Sequence, residues 1–77
     1  MNKDRRARIS AAISALEGLG ALLRDLENEE QEAYDNMPEG LQSGDRGNTM
    51  QDTINYLASA AGEVEQAAEE LGNITHR

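Results

Sequence analysis

The second half of the chain carries apolar residues at alternating intervals of four and three. They are Met50, Ile54, Leu57, Ala61, Val64, Ala68 and Leu71. A seven-residue repeat of this kind is typical of a helix that packs along a neighbouring helix. Gly47 continues the same seam three residues before Met50. The repeat therefore predicts a long helix that needs a helical partner.

The first half carries a second repeat between Lys3 and Tyr34. Its two columns are Ile9, Leu16 and Leu23, and Ala12, Leu19, Leu26 and Ala33. Interleaved, they predict a seam along a first helix, with Glu30 as its one polar position. Gly18 and Gly20 each cost about 1 kcal/mol relative to Ala in a helix interior. Because the register is the same on both sides of these glycines, we expect one continuous helix.

A turn-forming stretch, Asn36–Gly47, separates the two repeats and holds the only proline and three of the seven glycines. Pro38 disfavours the α conformation at Met37, so the first helix should end by about Asn36. Gly40 can take a positive φ. Leu41 is the single apolar residue available to close the end of a hairpin.

Two residues compete as the N-cap of the second helix. Ser43 would place Asp45 in the first turn, where a carboxylate suits the helix dipole. Thr49 with Asp52 resembles a capping box. We favour Ser43, because Gly47 then continues the seam. The stop signals Gly72 and Asn73 end the second helix.

Together these features predict an all-α fold, an antiparallel two-helix hairpin forming one domain over residues 1–77. The first helix should span 3–35, the bend 36–42, the second helix 43–72 and a frayed tail 73–77.

We expect association to add stability to so small a fold. A chain of 77 residues buries a small core, and it has no cysteine for disulfides or thiolate metal sites. Apolar or small side chains also lie off the two seams, where a lone hairpin would leave them exposed. They are Ala11, Ile13, Ala15, Gly18, Ala21, Leu22, Tyr56, Ala58, Ala60, Gly62 and Ala67. We therefore expect a homo-oligomeric helical bundle whose main partner is the chain itself.

Charge excludes some partners. Fifteen acids against seven bases give a net charge of −8, which disfavours free nucleic acid. No apolar run reaches the roughly 18 residues of a membrane span, and no secretory signal is evident. We expect no nucleic acid or membrane partner and a cytoplasmic location.

Two charged clusters admit two interpretations each. Lys3, Arg5, Arg6 and Arg8 would lie beside Glu63, Glu65, Glu69 and Glu70 in an antiparallel hairpin, where pairing would set the register. The alternative interpretation is that the basic cluster binds a phosphate or another ligand. Seven acids and no base occupy Asp25–Glu39. They form either a solvated face or an acidic surface that docks on a basic partner.

The chain lacks a recognisable catalytic constellation. It has no cysteine nucleophile, and its one histidine is His76 in the expected tail. Its glycines match neither the GxGxxG pattern nor the Walker phosphate-loop pattern with its lysine. We therefore expect a non-enzyme with no cofactor and no metal. Polar residues around the bend form a candidate ligand-binding site: Tyr34, Asn36, Gln42, Ser43, Arg46 and Asn48. Arg46 would either lock the turn by pairing with an acid (Asp35, Glu39 or Asp45) or face an anionic ligand.

Three stretches carry a family resemblance: Met1–Arg6, Glu29–Ser43 and Arg46–Gly47. They resemble a family of small acidic helical proteins common in bacteriophage and prophage genomes. The resemblance covers most of the chain and implies a viral origin, a bacterial host and a helical hairpin. The resemblance implies no particular activity and identifies no site residues. Position 44, acidic in that family, is Gly here, which weakens a helix start at Ser43.

Small oligomeric phage proteins often counteract host defence, and by this analogy three functions compete. The first, which we favour from the sequence, is sequestration of a nucleotide-derived immune signal in pockets between subunits. The second is inhibition of a protein, or mimicry of DNA, through the acidic surface. The third is a structural oligomer without a ligand.

Overall fold

The computed structural model describes residues 2–75 and is all-helical in that range. Helix α1 spans Lys3–Asp35, a single turn α2 spans Glu39–Gln42, and α3 spans Asp45–Thr75. The two long helices pack along each other in a rod of 58 × 14 × 14 Å. No helix within the described range has the length and apolar composition needed to cross a bilayer.

Local chemistry accounts for both ends of α1. The side-chain oxygen of Asn2 accepts a 2.7 Å hydrogen bond from the backbone N–H of Arg5, which satisfies one free donor of the first turn. At the other end the backbone N–H of Asn36 donates to the carbonyl of Glu32. Pro38 then prevents continuation, as predicted.

The bend differs from the prediction in two respects. Residues 39–42 form the turn α2, and Ser43 caps the end of that turn, with its N–H donating to the Leu41 carbonyl. Helix α3 consequently begins at Asp45, and the Gly44 carbonyl accepts its first backbone bond from Asn48. Neither Ser43 nor Thr49 starts the helix. Gly40 also takes no positive φ, because it lies inside α2.

The expected stop at Gly72 and Asn73 is wrong as well. Helix α3 continues to Thr75, whose hydroxyl donates to the carbonyls of Leu71 and Gly72. Gly72 is half-buried and lines the same depression as Ile13 of α1. Of the predicted tail 73–77, residues 76 and 77, including His76, lie outside the described residues.

The seam of α3 is confirmed along its whole length. Gly47, Ala61 and Ala68 are buried and the remaining seam residues are half-buried. The core is thin, since Ala61 and Ala68 are its only buried hydrophobic residues within the described part of the chain.

The seam of α1 is confirmed in one column and wrong in the other. Ile9, Leu16 and Leu23 are half-buried as predicted, but Ala12, Leu19, Leu26 and Ala33 are exposed. Their places are taken by the residues that follow them: Ile13, Gly20, Glu27 and Tyr34. The column shifts by one residue, or about 100° of helix rotation. Gly20 is buried at this contact, beside the side chains of Val64 and Glu65.

The helix register also displaces the basic cluster. Ile13 lies beside Gly72, Gly20 beside Glu65 and Tyr34 beside Gln51. This antiparallel register places Thr75 opposite Ser10, so Lys3–Arg8 extend past the described part of α3. Glu63–Glu70 lie opposite the middle of α1 instead.

Candidate functional site

Tyr34 is the centre of a polar cluster at the bend. Its hydroxyl accepts a 2.8 Å hydrogen bond from Gln51 Nε2 on α3. Its backbone carbonyl accepts a 3.0 Å bond from Gln42 Nε2 on α2. One residue therefore connects all three helices, which gives the cluster a defined geometry.

An open depression of about 510 Å³ lies over this cluster. Its lining comprises Tyr34, Glu39, Gln42, Ser43, Asn48 and Gln51. A neighbouring depression of about 330 Å³ shares Tyr34 and Gln51 with it and adds Gln31, Ile54 and Asn55. Four of the six predicted site residues are thus brought together: Tyr34, Gln42, Ser43 and Asn48.

Two predicted site residues lie outside these depressions. Asn36 caps the end of α1 through its backbone. Arg46 is exposed in the first turn of α3 and lines neither depression. No carboxylate within residues 2–75 lies within 4.0 Å of its guanidinium, so it does not lock the turn through Asp35, Glu39 or Asp45.

Gln51 is the site residue that the sequence analysis missed. It follows the seam position Met50, and no turn or motif signal marks it. The register of the hairpin is the feature that would have identified Gln51, because it places this residue opposite Tyr34. Glu39 is the only charged residue in the lining of the larger depression. A single copy therefore offers amide and hydroxyl groups there, with no cation for a phosphate.

An ion pair joins the middles of the two long helices. Arg24 donates through Nε and Nη2 to both carboxylate oxygens of Glu65, at 3.2 and 2.8 Å, and through Nη1 to Glu27 at 3.0 Å. The hydrogen bonds from Arg24 lower the pKa of Glu65, and the two carboxylates raise the pKa of Arg24. Glu65 thus pairs with Arg24 and not with the N-terminal basic cluster. Arg8 of that cluster pairs with Asp4 on its own helix.

This ion pair defines two faces of the hairpin. Arg24 follows the seam residue Leu23, and Glu65 follows the seam residue Val64. Since the two meet, residues that follow seam positions lie on one side, which we name the Arg24 face. Both bend depressions are on this side. Residues that precede seam positions lie on the opposite side, the leucine face, because consecutive helix residues are about 100° apart.

The leucine face carries an exposed apolar stripe on α1. We call this set the leucine stripe: Ala12, Ala15, Leu19, Leu22 and Leu26. Leu19, Leu22 and Leu26 are 46%, 54% and 40% exposed. Their spacing alternates between three and four, which is itself a helix-packing pattern. Helix α3 widens the same face with Tyr56 and Ile74, which are 76% and 45% exposed, and with the half-buried Ala60 and Ala67.

No family model, curated protein or solved structure matches the chain. The resemblance to the phage family therefore stays a prediction. Among residues 2–75, no group of three or more histidine, aspartate or glutamate side chains is placed to hold a metal ion.

Proposed function

We propose that the chain is a non-enzymatic binding protein whose working surface is the leucine face, and that it acts by packing this face against a partner helix. The single observation that carries the proposal is the exposure of Leu19, Leu22 and Leu26 at helix-packing intervals. A second helical seam left uncovered in so small a chain is the recognition pattern of helices that bind helices.

The amount of exposed surface supports this proposal. A folded monomer of 8.4 kDa is expected to expose about 4,600 Å². The accessible surface of the hairpin is 5604 Å². The surplus is similar to the roughly 800 Å² that each partner buries in a standard interface. This favours association with another chain, and the leucine stripe on the exposed surface favours a protein-binding or assembly role among the three functions.

Sequestration of a nucleotide-derived signal is the second candidate. It is favoured by the convergence of Tyr34, Gln42, Ser43 and Asn48 in one depression. Aromatic stacking on Tyr34 and hydrogen bonds from the amides suit a nucleobase. A phosphate would need a cation from another subunit, because the depression supplies none. The phage resemblance makes an anti-defence role the natural setting for either candidate.

A site-specific photo-crosslinker tests the proposed surface. Placed at position 22 in cells that make the protein, it should give covalent adducts, because a partner helix covers the leucine stripe. The control position is Asn28, which is exposed on α1 and follows the seam residue Glu27, so it lies on the Arg24 face. Adducts at 22 and none at 28 support the proposal. No adduct at 22, or equal yields at both positions, overturns it.

A further inference from the structure

We infer that the helix packed on the leucine stripe is α1 of a second copy, running antiparallel, with the two bends at opposite ends of a four-helix bundle. The inference rests on the proposed function and names its partner. Three observations carry it: the angle between the two seams of α1, the size pattern of the stripe, and the charges at its ends.

The angle between the seams is that of a bundle. Each stripe residue immediately precedes an α3-facing residue, as Leu19 precedes Gly20 and Leu22 precedes Leu23. The two seams are therefore about 100° apart around α1. A helix of a four-helix bundle contacts two neighbours at close to a right angle. Helix α1 thus presents one seam to α3 and a second to a helix outside the hairpin.

The side-chain sizes fit an antiparallel copy centred on Leu19. In that register Leu19 meets the same residue of the other copy. Ala12 then lies opposite Leu26, and Ala15 lies opposite Leu22. Each layer on either side of the central Leu19 pair matches a large side chain with a small one, an alternation that suits close packing. A parallel copy would instead place leucine on leucine at one end and alanine on alanine at the other.

The charges at the two ends of the stripe also favour an antiparallel arrangement of the two α1 helices. Continued at the same spacing, the stripe reaches Arg5 and Arg8 at its start and Glu29 near its end. An antiparallel copy places Arg8 beside Glu29 at both ends of the interface. Parallel helices would bring like charges together instead. The Lys3–Arg8 segment is exposed in the hairpin, so its side chains are available for this role.

Sedimentation of the purified full chain gives the first test. The expected species has twice the 8.4 kDa mass of the chain at micromolar concentration. A folded monomer overturns the inference. In that case, foreign-protein adducts at position 22 would leave the proposed function standing, whereas the absence of any adduct would remove both.

A single cysteine tests the direction of packing, since the chain has none of its own. Leu19→Cys should form a disulfide-linked dimer under mild oxidation, because the symmetry axis passes beside this residue. Glu17→Cys is the control: it is exposed on the Arg24 face and should stay monomeric on a reducing-agent-free gel. A stable dimer in which Leu19→Cys does not crosslink places α1 against another part of the second copy and overturns the antiparallel α1 pairing.

A charge exchange tests the ends of the interface without changing its apolar centre. Arg8→Glu and Glu29→Arg should each weaken dimerisation several-fold at low ionic strength, because each puts like charges together. The double variant should recover most of the loss. Arg8→Glu also removes the bond to Asp4, so helicity is measured in parallel. Two single losses that simply add in the double variant would contradict the pairing.

Discussion

Arg24 of α1 and Glu65 of α3 form the only ion pair between helices within residues 2–75, with two hydrogen bonds across the hairpin. The pair lies beside Gly20, which is buried against the side chains of Glu65 and Val64. The buried contact at Gly20 and the two-pronged charge contact therefore occur at the same level of the rod. This is the point at which the register of the hairpin is fixed.

The ion pair predicts a pH dependence of stability. Arg24 holds the pKa of Glu65 below its ordinary value of 4.5, so the pair stabilises the fold above that pH. Its contribution is lost as the pH falls through the lowered pKa of the folded state. Glu65→Gln should therefore lower the melting temperature at pH 7. The difference from wild type should shrink as the pH falls below 4.5 and vanish once the pH is below the lowered pKa of Glu65.

The matched control for this experiment is Glu69→Gln. Glu69 lies on the same face one turn further on, and no basic side chain within the described residues pairs with it. It should change the melting temperature far less. Equal effects of the two variants at pH 7 would show that the Arg24 contact has no role in stability.

Gly47 and Gly18 should respond to alanine in opposite directions. A side chain at Gly47 would overlap the backbone of Gln42, so Gly47→Ala should cost about 1–3 kcal/mol through displacement of α2. No atom lies within 4 Å of a side chain added at Gly18, so Gly18→Ala should stabilise by about 0.8–1 kcal/mol. Urea unfolding of both variants measures the two signs. Stabilisation by Gly47→Ala would refute the close contact at the bend.

Leu23 and Leu22 are neighbours that should behave differently. Leu23 faces α3 and is half-buried, so Leu23→Asp puts a charge into the seam and should destabilise by at least about 2 kcal/mol. Leu22→Asp places the same charge on the exposed leucine stripe. Its helicity should persist while association is lost, as followed by circular dichroism and sedimentation. Retained association in Leu22→Asp would exclude the stripe as the interface.

Two substitutions of Tyr34 distinguish the structural role of the bend from its role in ligand binding. Tyr34→Phe removes the bond from Gln51, and a net loss near 0.5 kcal/mol is expected because the contact is exposed. Tyr34→Ala should also weaken any stacked nucleobase ligand by about 1–3 kcal/mol. A thermal-shift panel of cyclic dinucleotides and ADP-ribose derivatives measures this. If no compound raises the melting temperature of the wild-type chain, the sequestration candidate fails.

Replacing Arg46 should affect neither the stability of the chain nor its ligand binding. Arg46 makes no ion pair within residues 2–75 and does not line the bend depressions. Arg46→Ala should therefore change the free energy of unfolding by less than about 0.5 kcal/mol. It should also leave ligand-induced thermal shifts at their wild-type size. A large loss of binding would mean that a second subunit brings Arg46 to the ligand.

Only part of the candidate site could be predicted from the sequence. Tyr34, Gln42, Ser43 and Asn48 were found because polar residues next to a turn converge when the chain reverses. Gln51 was not, because its bond to Tyr34 depends on the rotation of α1, which turns Tyr34 rather than Ala33 toward α3. The position of Arg46 depends on the start of α3 at Asp45 rather than at Ser43.

The amino-acid sequence by itself determined the helices, the position of the bend and the contact face of α3, because one apolar repeat runs along α3 without an alternative. It did not determine the contact face of α1. Ile9, Leu16 and Leu23 belong equally to a seam with Ala12, Leu19 and Leu26 and to one with Ile13, Gly20 and Glu27. Hydrophobicity favours the first seam. Tertiary structure selected the second, because in that rotation Arg24 pairs with Glu65 and Tyr34 accepts the bond from Gln51. The displaced leucines were left on the outside of the hairpin.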